Sequence, residues 1–526
     1  MNIKQFSKLP LFSALALAIG LTACGQDTNK APTPSVAEKA TEPTKPNLVI
    51  FYVDDLGYGD LSSYGATAVS TPNVDRLANN GIKFTDAHSS AATCTPSRYS
   101  LLTGEYAFRK KAAVLKGDAA MIISPEQPTL PKMLAKQGYT SAVVGKWHLG
   151  LGDGKQAINW NEAVKPGPLE IGFDYSFLLP ATGDRVPTVY LENHHVINLD
   201  KADPLSVSYE KKIGDRPTGY ENPELERQAA DHQHNKTLIN GIGRIGWMAG
   251  GKSAEWVDED FYKVFTDKAN NFIAQNKDKP FFLFFPFHDI HVPRLPHPMF
   301  QGKTEMGPRG DAIVQMDWIT GQVVDQLEKQ GVLDNTIIIF TSDNGPVLDD
   351  GYADQAVELL GDHKPAGIYR GGKYSAFEAG TRVPTILHYP AKVKPGVSDE
   401  LMSQIDVYAS MASLLGIELA NDEAIDSHNQ ADAWLDSKAK GRDELIEEAY
   451  TLALRSGEWK YIEPANKTLA WVENEKKIEH GVSKIAQLYN IKKDPSETTN
   501  VASQHPDLVA KLDKRLQALK ILKTRQ

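Results

Sequence analysis

Cysteine is nearly absent. The 526 residues contain two, Cys24 and Cys94, too few for a disulfide framework or a cysteine-based metal site. Long apolar runs are also missing after residue 46. The longest is FFLFFPF, 281–287, about a third of what crosses a bilayer. Positive charge is not in excess: 57 Lys and Arg stand against 67 Asp and Glu, a formal net charge of −10. That excludes a general nucleic-acid binder, which needs surplus cations to displace counterions. It does not exclude an anionic ligand, because a few convergent cations dominate the field of a pocket. What is present is an ordinary globular mixture, 41% hydrophobic and 24% charged. The chain is longer than one hydrophobic core usually serves, so two domains are expected.

The N-terminus carries Lys4 and Lys8, then the short apolar run LPLFSALALAIGLT, 9–22. It is too short to span and predicts a signal peptide over 1–24. The run ends in LTAC, which resembles a bacterial lipobox. The resemblance implies lipidation of Cys24 and anchoring of the exported chain in a bacterial cell envelope. Residues 25–46 are polar and Pro-rich and predict a flexible tether. With Cys24 lipidated, Cys94 has no disulfide partner. Its neighbours Thr93, Thr95, Pro96, Ser97 and Arg98 are not those of a core residue, and Arg98 is expected to perturb the thiol.

From residue 47 apolar strands alternate with amphipathic helices. NLVIFYV, TSAVVG, PFFLFFPF, TIIIFTS and PTILHYP read as strands, and the segments starting at TPNVDRL, TLPKMLA, VDEDFYK and GDAIVQM as helices. The pattern predicts an α/β fold, a large, mostly parallel or mixed sheet with helices on both faces, over 47–394. Residues 155–258, rich in Gly, Pro, Asn and His, break the rhythm and read as a loop-rich insertion. Residues 395–526 read as a smaller α+β domain ending in the helix PDLVAKLDKRLQALKILK.

In such sheets ligands sit beyond the carboxyl ends of the strands. Asp54 and Asp55 follow the first strand, Lys146 and His148 another, His288, Asp289 and His291 a third, Asp343 and Asn344 a fourth. Asp54, Asp55, Asp343 and Asn344 are hard oxygen donors suited to Ca²⁺ or Mg²⁺. A zinc site at His148 and His291 is the alternative, disfavoured by the neighbouring lysine. Arg98, Lys146 and Lys373 could hold an anionic group. Cys94 stands where Pro96 favours a helix start, facing the positive end of the dipole.

CTPSRYSLLTG and GYTSAVVGKWH resemble the two signatures of type I sulfatases, and VDDLGYGD and TSDNG resemble their metal-binding segments. The resemblance runs from 47 to about 505. It implies an alkaline-phosphatase-superfamily fold, sulfate-ester hydrolysis, and oxidation of Cys94 to formylglycine by a formylglycine-generating enzyme. It implies further that Asp54, Asp55, Asp343 and Asn344, with residue 94, surround Ca²⁺, with Mg²⁺ possible. Arg98, Lys146 and Lys373 then serve the sulfate and the nucleophile. His291, rather than His288, protonates the leaving alcohol, and His148 frees the sulfated enzyme. Asp184, Arg185, His194, His363 and Arg370 are candidates for gripping a sugar of a sulfated glycan, with galactose, N-acetylgalactosamine and fucose sulfates all open. Two rivals stand beside this reading: a phosphonate monoester or phosphodiester hydrolase on the same core, and a glycan-binding surface lipoprotein without activity.

Overall fold

The computed structural model describes residues 45–525. The expected signal peptide, Cys24 and nearly all of the expected tether lie outside these residues. The centre is a ten-stranded mixed sheet. Its middle is the strand Asn47–Val53, paired in parallel with Phe281–Pro286 on one side and Thr336–Ser342 on the other. Parallel pairing continues outward from Phe281–Pro286 to Thr140–Lys146 and Tyr175–Leu179. On the other side Thr385–His388 runs antiparallel between Thr336–Ser342 and Ile82–His88.

NLVIFYV is apolar at every position because both faces of its strand are covered. Leu48, Ile50 and Tyr52 enter one core, with residues of the helices Cys94–Thr103, Leu130–Ala135 and Val407–Leu414. Val49, Phe51 and Val53 enter the other, beneath Pro72–Asn80, Phe261–Asn276 and Gly307–Lys329. Truncating Phe51 to alanine there costs on the order of 3–5 kcal/mol.

The large sheet extends past the expected division at 394 and into the expected insertion. Gly396–Ser403, placed by the sequence in the smaller domain, pairs in parallel with Ile82–His88 at the edge of the large sheet. Its polar residues are those of an edge strand and hide it from apolar-run reading. The smaller sheet begins at Glu444 and is antiparallel: Glu444–Glu448, Leu452–Ser456, Trp459–Ile462, Gln487–Asn490. The terminal helix Pro506–Lys520 packs on it through Leu512 and Leu516. The expected insertion is also less loop-like than its composition: Tyr175–Leu179, Leu191–Glu192 and His195–Val196 extend the large sheet. Among the described residues no helix is long and apolar enough to cross a membrane.

Candidate active site

Four neighbouring strands deliver charge to one edge. Asp54 and Asp55 follow Val53, with Asp55 at a left-handed φ of 61° that turns the chain across the strand end. Asp343 and Asn344 follow Ser342, Lys146 ends its own strand, and His291 lies five residues beyond Pro286.

The helix Cys94–Thr103 brings in the cysteine. Pro96 is tolerated in its first turn, where the missing N–H has no helical partner. Ser97 Oγ donates to Ala91 O at 2.8 Å and Thr95 Oγ1 to His148 O at 2.9 Å, fixing the helix start. The helix stops at Gly104, at φ 67°, where a Cβ would stand 2.5 Å from Ala424 Cβ. Every residue of the helix is buried, so the N-terminal dipole acts on Cys94 without water to screen it. Cys94 itself is 1% exposed and unpaired. Burial, rather than the expected Arg98, has the largest influence on the thiol and pushes it up to about 12, with Lys146 opposing. At neutral pH an unmodified Cys94 is a neutral thiol.

Arg98 spends its donors elsewhere. Its Nε and Nη2 donate to Asp343 Oδ2 at 3.0 and 2.7 Å, and Nη1 to Lys146 O at 3.0 Å. Lys146 Nζ donates to Asp54 Oδ2. Lys373 Nζ donates to Asp55 Oδ2 and to Asp350 Oδ2, both at 2.9 Å. Burial alone would lower Lys373, but Asp350 and Asp55 outweigh it and hold the ammonium well above its usual range. Burial pushes Asp343 up to about 7, reinforced by Asp54.

Carboxylate oxygens of Asp54, Asp55 and Asp343 all lie within 4.8 Å of one another. Asp54 Oδ1 and Asn344 Oδ1 are buried with no hydrogen-bond partner, while Asn344 Nδ2 donates to Asp55 Oδ1 at 2.8 Å, which leaves its oxygen as the free atom. Two orphaned oxygens among three carboxylates fit a hard divalent cation. Among the described residues His148 joins no cluster that could hold an ion, whereas His291 comes together with Asp54 and Cys94 and with Asp55 and Asp350, so the expected His148–His291 pair is not brought together as a zinc site.

The histidines have defined tautomers. His148 Nε2 faces Leu115 O at 2.9 Å; a carbonyl only accepts, so Nε2 carries the proton and the unpartnered Nδ1 is a lone pair. His291 Nδ1 faces Val292 O at 2.6 Å, which leaves Nε2 as its functional atom, 3.8 Å from Asp55 Oδ2. Burial first, then Lys146 for His148 and Lys373 for His291, hold both rings well below the usual range. His291 lines the cavity, whereas His288 packs edge-on against Phe261 with centroids 5.2 Å apart.

Of these groups Cys94, His148, His291, Asp350 and Lys373 line one cavity of about 340 Å³, while Asp54, Asp55, Arg98, Lys146, Asp343 and Asn344 are wholly buried and outside its lining. Of the five expected sugar contacts, the lining includes Asp184 and Arg185. Arg185 Nη1 donates to both oxygens of Asp184 at 2.7 Å. The other three are braces. His194 faces Glu170 at 3.0 Å, and His363 faces Asp60 at 2.8 Å beside Arg309. Arg370 binds Glu479 and Glu497 O and lies over the Phe377 ring.

The sequence reading missed His234, Asp350, Tyr450, Trp471 and Lys476, which line the same cavity. His234 bridges Asp231 at 2.6 Å and Asp184 at 3.4 Å. Lys476 reaches Asp350 Oδ1 at 3.2 Å. Asp350 alone had a local signal, an Asp pair in the loop after TSDNG.

The sulfatase family profile matches residues 46–417. An N-acetylgalactosamine-6-O-sulfatase of Bacteroides thetaiotaomicron is 49% identical over 522 residues, 98% of this chain and 100% of that protein. The steryl-sulfatase of Rattus norvegicus is 32% identical over 455 residues, 81% of this chain and 76% of that one. A solved structure from work on the metabolism of multiple glycosaminoglycans by Bacteroides thetaiotaomicron is 50% identical, with a TM-score of 0.89 over 91% of this chain and 100% of that one. The phosphonate monoester hydrolase of Agrobacterium radiobacter has a TM-score of 0.56 at 18% identity, covering 90% and 95% of the two chains, a likeness of fold alone.

Proposed function

The chain belongs to the sulfatase family, and from that premise we propose that it removes the 6-O-sulfate of N-acetylgalactosamine from fragments of a sulfated glycan. The observation that carries the reading is the position of Cys94. It stands at a buried helix N-terminus, in one cavity with Lys373, His148 and His291. The choice of sugar follows the relative at 49% identity.

Formylglycine made from Cys94 by a formylglycine-generating enzyme supplies, once hydrated, one hydroxyl to attack sulfur and a second through which sulfate is expelled. A divalent cation, Ca²⁺ with Mg²⁺ as the alternative, held by Asp54, Asp55, Asp343 and Asn344, would add two positive charges to a cluster whose four carboxylates (those three and Asp350) otherwise balance Arg98, Lys146, Lys373 and Lys476. That surplus suits a sulfate ester.

The chain's own groups then divide the work. Lys146 and Lys373 bind sulfuryl oxygens, their ammonium groups held by Asp54 and by Asp55 and Asp350. Arg98 fixes Asp343 and the Lys146 carbonyl. His291 Nε2 protonates the departing sugar oxygen; the ester's negative charge offsets the cations that otherwise disfavour that proton. His148 Nδ1, with its tautomer set by Leu115 O, takes the proton from residue 94 when sulfate leaves. Export and a lipid anchor at Cys24 would place this chemistry in the cell envelope.

The test is a panel of defined sulfated sugars, with aryl sulfate, aryl phosphodiester and aryl phosphonate beside them, assayed on protein co-produced with a formylglycine-generating enzyme. N-acetylgalactosamine 6-sulfate should turn over fastest. A faster 4-sulfate or fucose sulfate overturns the substrate, and faster phosphodiester or phosphonate turnover overturns the reaction.

A further inference from the structure

Sulfate chemistry accounts for the charged lining of the cavity but not for its aromatic wall. Tyr374, Tyr450 and Trp471 line the same space, and each is half-buried. Trp471 is the centre of the group. Its ring meets Tyr374 edge-on with centroids 5.1 Å apart, and Tyr450 at 6.2 Å. It sits on the helix Ala470–Glu475 of the smaller domain, pinned by the fully buried Val472. Half-exposed aromatic rings beside buried lysines and carboxylates do nothing for an inorganic anion. They suit a ligand with an apolar face next to its charge.

We propose that Trp471, buttressed by Tyr374 and Tyr450, is the platform on which the C–H face of the sulfated pyranose lies, so that the smaller domain contributes a specificity residue to the site. The inference rests on the reading that the substrate is a carbohydrate sulfate.

A link between platform and sulfate site supports it. Just after Trp471, Lys476 Nζ lies 3.2 Å from Asp350 Oδ1. Asp350 Oδ2 accepts from the sulfate-binding Lys373 at 2.9 Å, and the Tyr374 hydroxyl reaches both Asp350 oxygens at 3.3 Å. One carboxylate therefore ties the helix, one wall ring and the anion-binding ammonium together, and sets how far the ring of a sugar sulfate lies from its charge. The cavity, about 340 Å³, is at the small end of ligand sites, which run from roughly 300 to 1,000 Å³. It accommodates one sugar ring with its sulfate.

The experiment is calorimetric binding on full-length Cys94→Ala protein, which does not consume its ligand. The probes are the best sugar sulfate of the panel and inorganic sulfate. Trp471→Ala should weaken the sugar sulfate about tenfold and leave inorganic sulfate unchanged. Trp471→Phe should recover most of the loss. Trp471→Leu keeps apolar volume without a π face and should behave like alanine, which keeps the test alive if the alanine variant misfolds. In protein with an intact residue 94, the same series should move KM and spare kcat. Equal loss of both ligands makes Trp471 a domain brace and overturns the proposal, as does unchanged sugar binding in the alanine and leucine variants. If the parent Cys94→Ala protein binds inorganic sulfate but no sugar sulfate, it is the carbohydrate reading that fails, a result distinct from either of these.

Discussion

The buried floor that braces the cavity's lining and the rim that forms that lining are made of different kinds of chain. Asp54, Asp55, Lys146, Asp343 and Asn344 grow from the ends of paired strands whose register is fixed by two covered faces. A shift there would turn a whole strand inside out. The rim comes from three distant segments: Asp184, Arg185 and His234 from the insertion, Asp350 and Tyr374 from the loops after Asn344, and Tyr450, Trp471 and Lys476 from the smaller domain. The floor is fully buried, and in the proposed mechanism it serves the anion common to all sulfate esters. The rim mixes buried charge at Asp184, His234, Asp350 and Lys476 with half-buried Arg185, Tyr374, Tyr450 and Trp471, and none of these residues lies in a strand of the large sheet. Catalysis is therefore expected to be broken at the floor and only retuned at the rim.

The largest break should come at residue 94. Cys94→Ala removes the precursor of the nucleophile from a helix whose other contacts stay intact. Turnover should fall by on the order of 10⁴-fold or more, while the melting temperature barely moves. Mass spectrometry of the active parent should find formylglycine at this position. An alanine variant with full activity would end the mechanism.

Next in size is the metal floor. A chelator strong enough to strip the site should abolish turnover, and added Ca²⁺ should restore it. Asp343→Ala should not be rescued by metal. It strands Arg98, which gives two hydrogen bonds to that carboxylate, so the loss should exceed the ~10²–10³-fold typical of one oxyanion donor. Stoichiometric zinc by elemental analysis would overturn the assignment.

The contrast between floor and rim also explains what could be read in the sequence. Floor residues sit next to strands that announce themselves by apolar runs, so Asp54, Lys146 and Asp343 could be placed at one edge from local pattern alone. Cys94 could be singled out by composition. The rim had no such signal. His363 stands in a Gly-rich, polar segment that invites a ligand-binding reading, yet it is spent on Asp60. Trp471 stands in AWVENEK, an unremarkable helical stretch, and becomes a wall only because the smaller sheet folds back. Tertiary packing decides such positions, and no window along the chain contains it. The edge strand Gly396–Ser403 was missed for a related reason: Ser398, Asp399 and Glu400 separate Val397 from Leu401 and Met402, so it lacks the run that marks a central strand.

The third test lies within the floor. In the proposed mechanism His291 Nε2 serves the leaving oxygen, and that help matters most for a basic leaving group. His291→Ala should harm sugar-sulfate hydrolysis by a further ~10²-fold over aryl-sulfate hydrolysis. His148→Ala should instead give a burst of about one alcohol per enzyme with either substrate, leaving residue 94 sulfated. Equal losses in the first case, or no burst in the second, would mean the two rings have been given each other's roles or none.

A smaller effect tests how the two domains meet at the nucleophile loop. Glu448, from the smaller sheet, accepts from Phe108 N at 2.9 Å, and its backbone bonds to Ser90 and Ala92, just before Cys94. Burial raises its carboxyl to about 8. The sign follows from that direction. Between about pH 4.5 and about pH 8 the folded group keeps its proton while the unfolded one has lost it. The folded state therefore binds more protons, and stability falls as pH rises through the window. Glu448→Gln should flatten that slope in melting temperature relative to the parent. A parallel pair of curves would show that Glu448 is ionised in the fold.

The smallest effects belong to the residues that look like rim but are not. Arg370 and His194 each hold a partly exposed carboxylate, Glu479 and Glu170. Such pairs contribute about 0–1 kcal/mol, with a further ~0.5–1 kcal/mol for the Arg370 guanidinium over Phe377. Arg370→Ala and His194→Ala should therefore lower stability slightly and leave KM for the sugar sulfate where it was. Arg185→Ala is the matched control. Its guanidinium faces the cavity and is tied to Asp184, so its loss should raise KM by roughly tenfold, the scale of one charge-assisted hydrogen bond. A rise in KM from Arg370→Ala equal to that from Arg185→Ala would erase the line drawn between rim and brace. It would place the loop before Lys373 among the parts that feel the sugar.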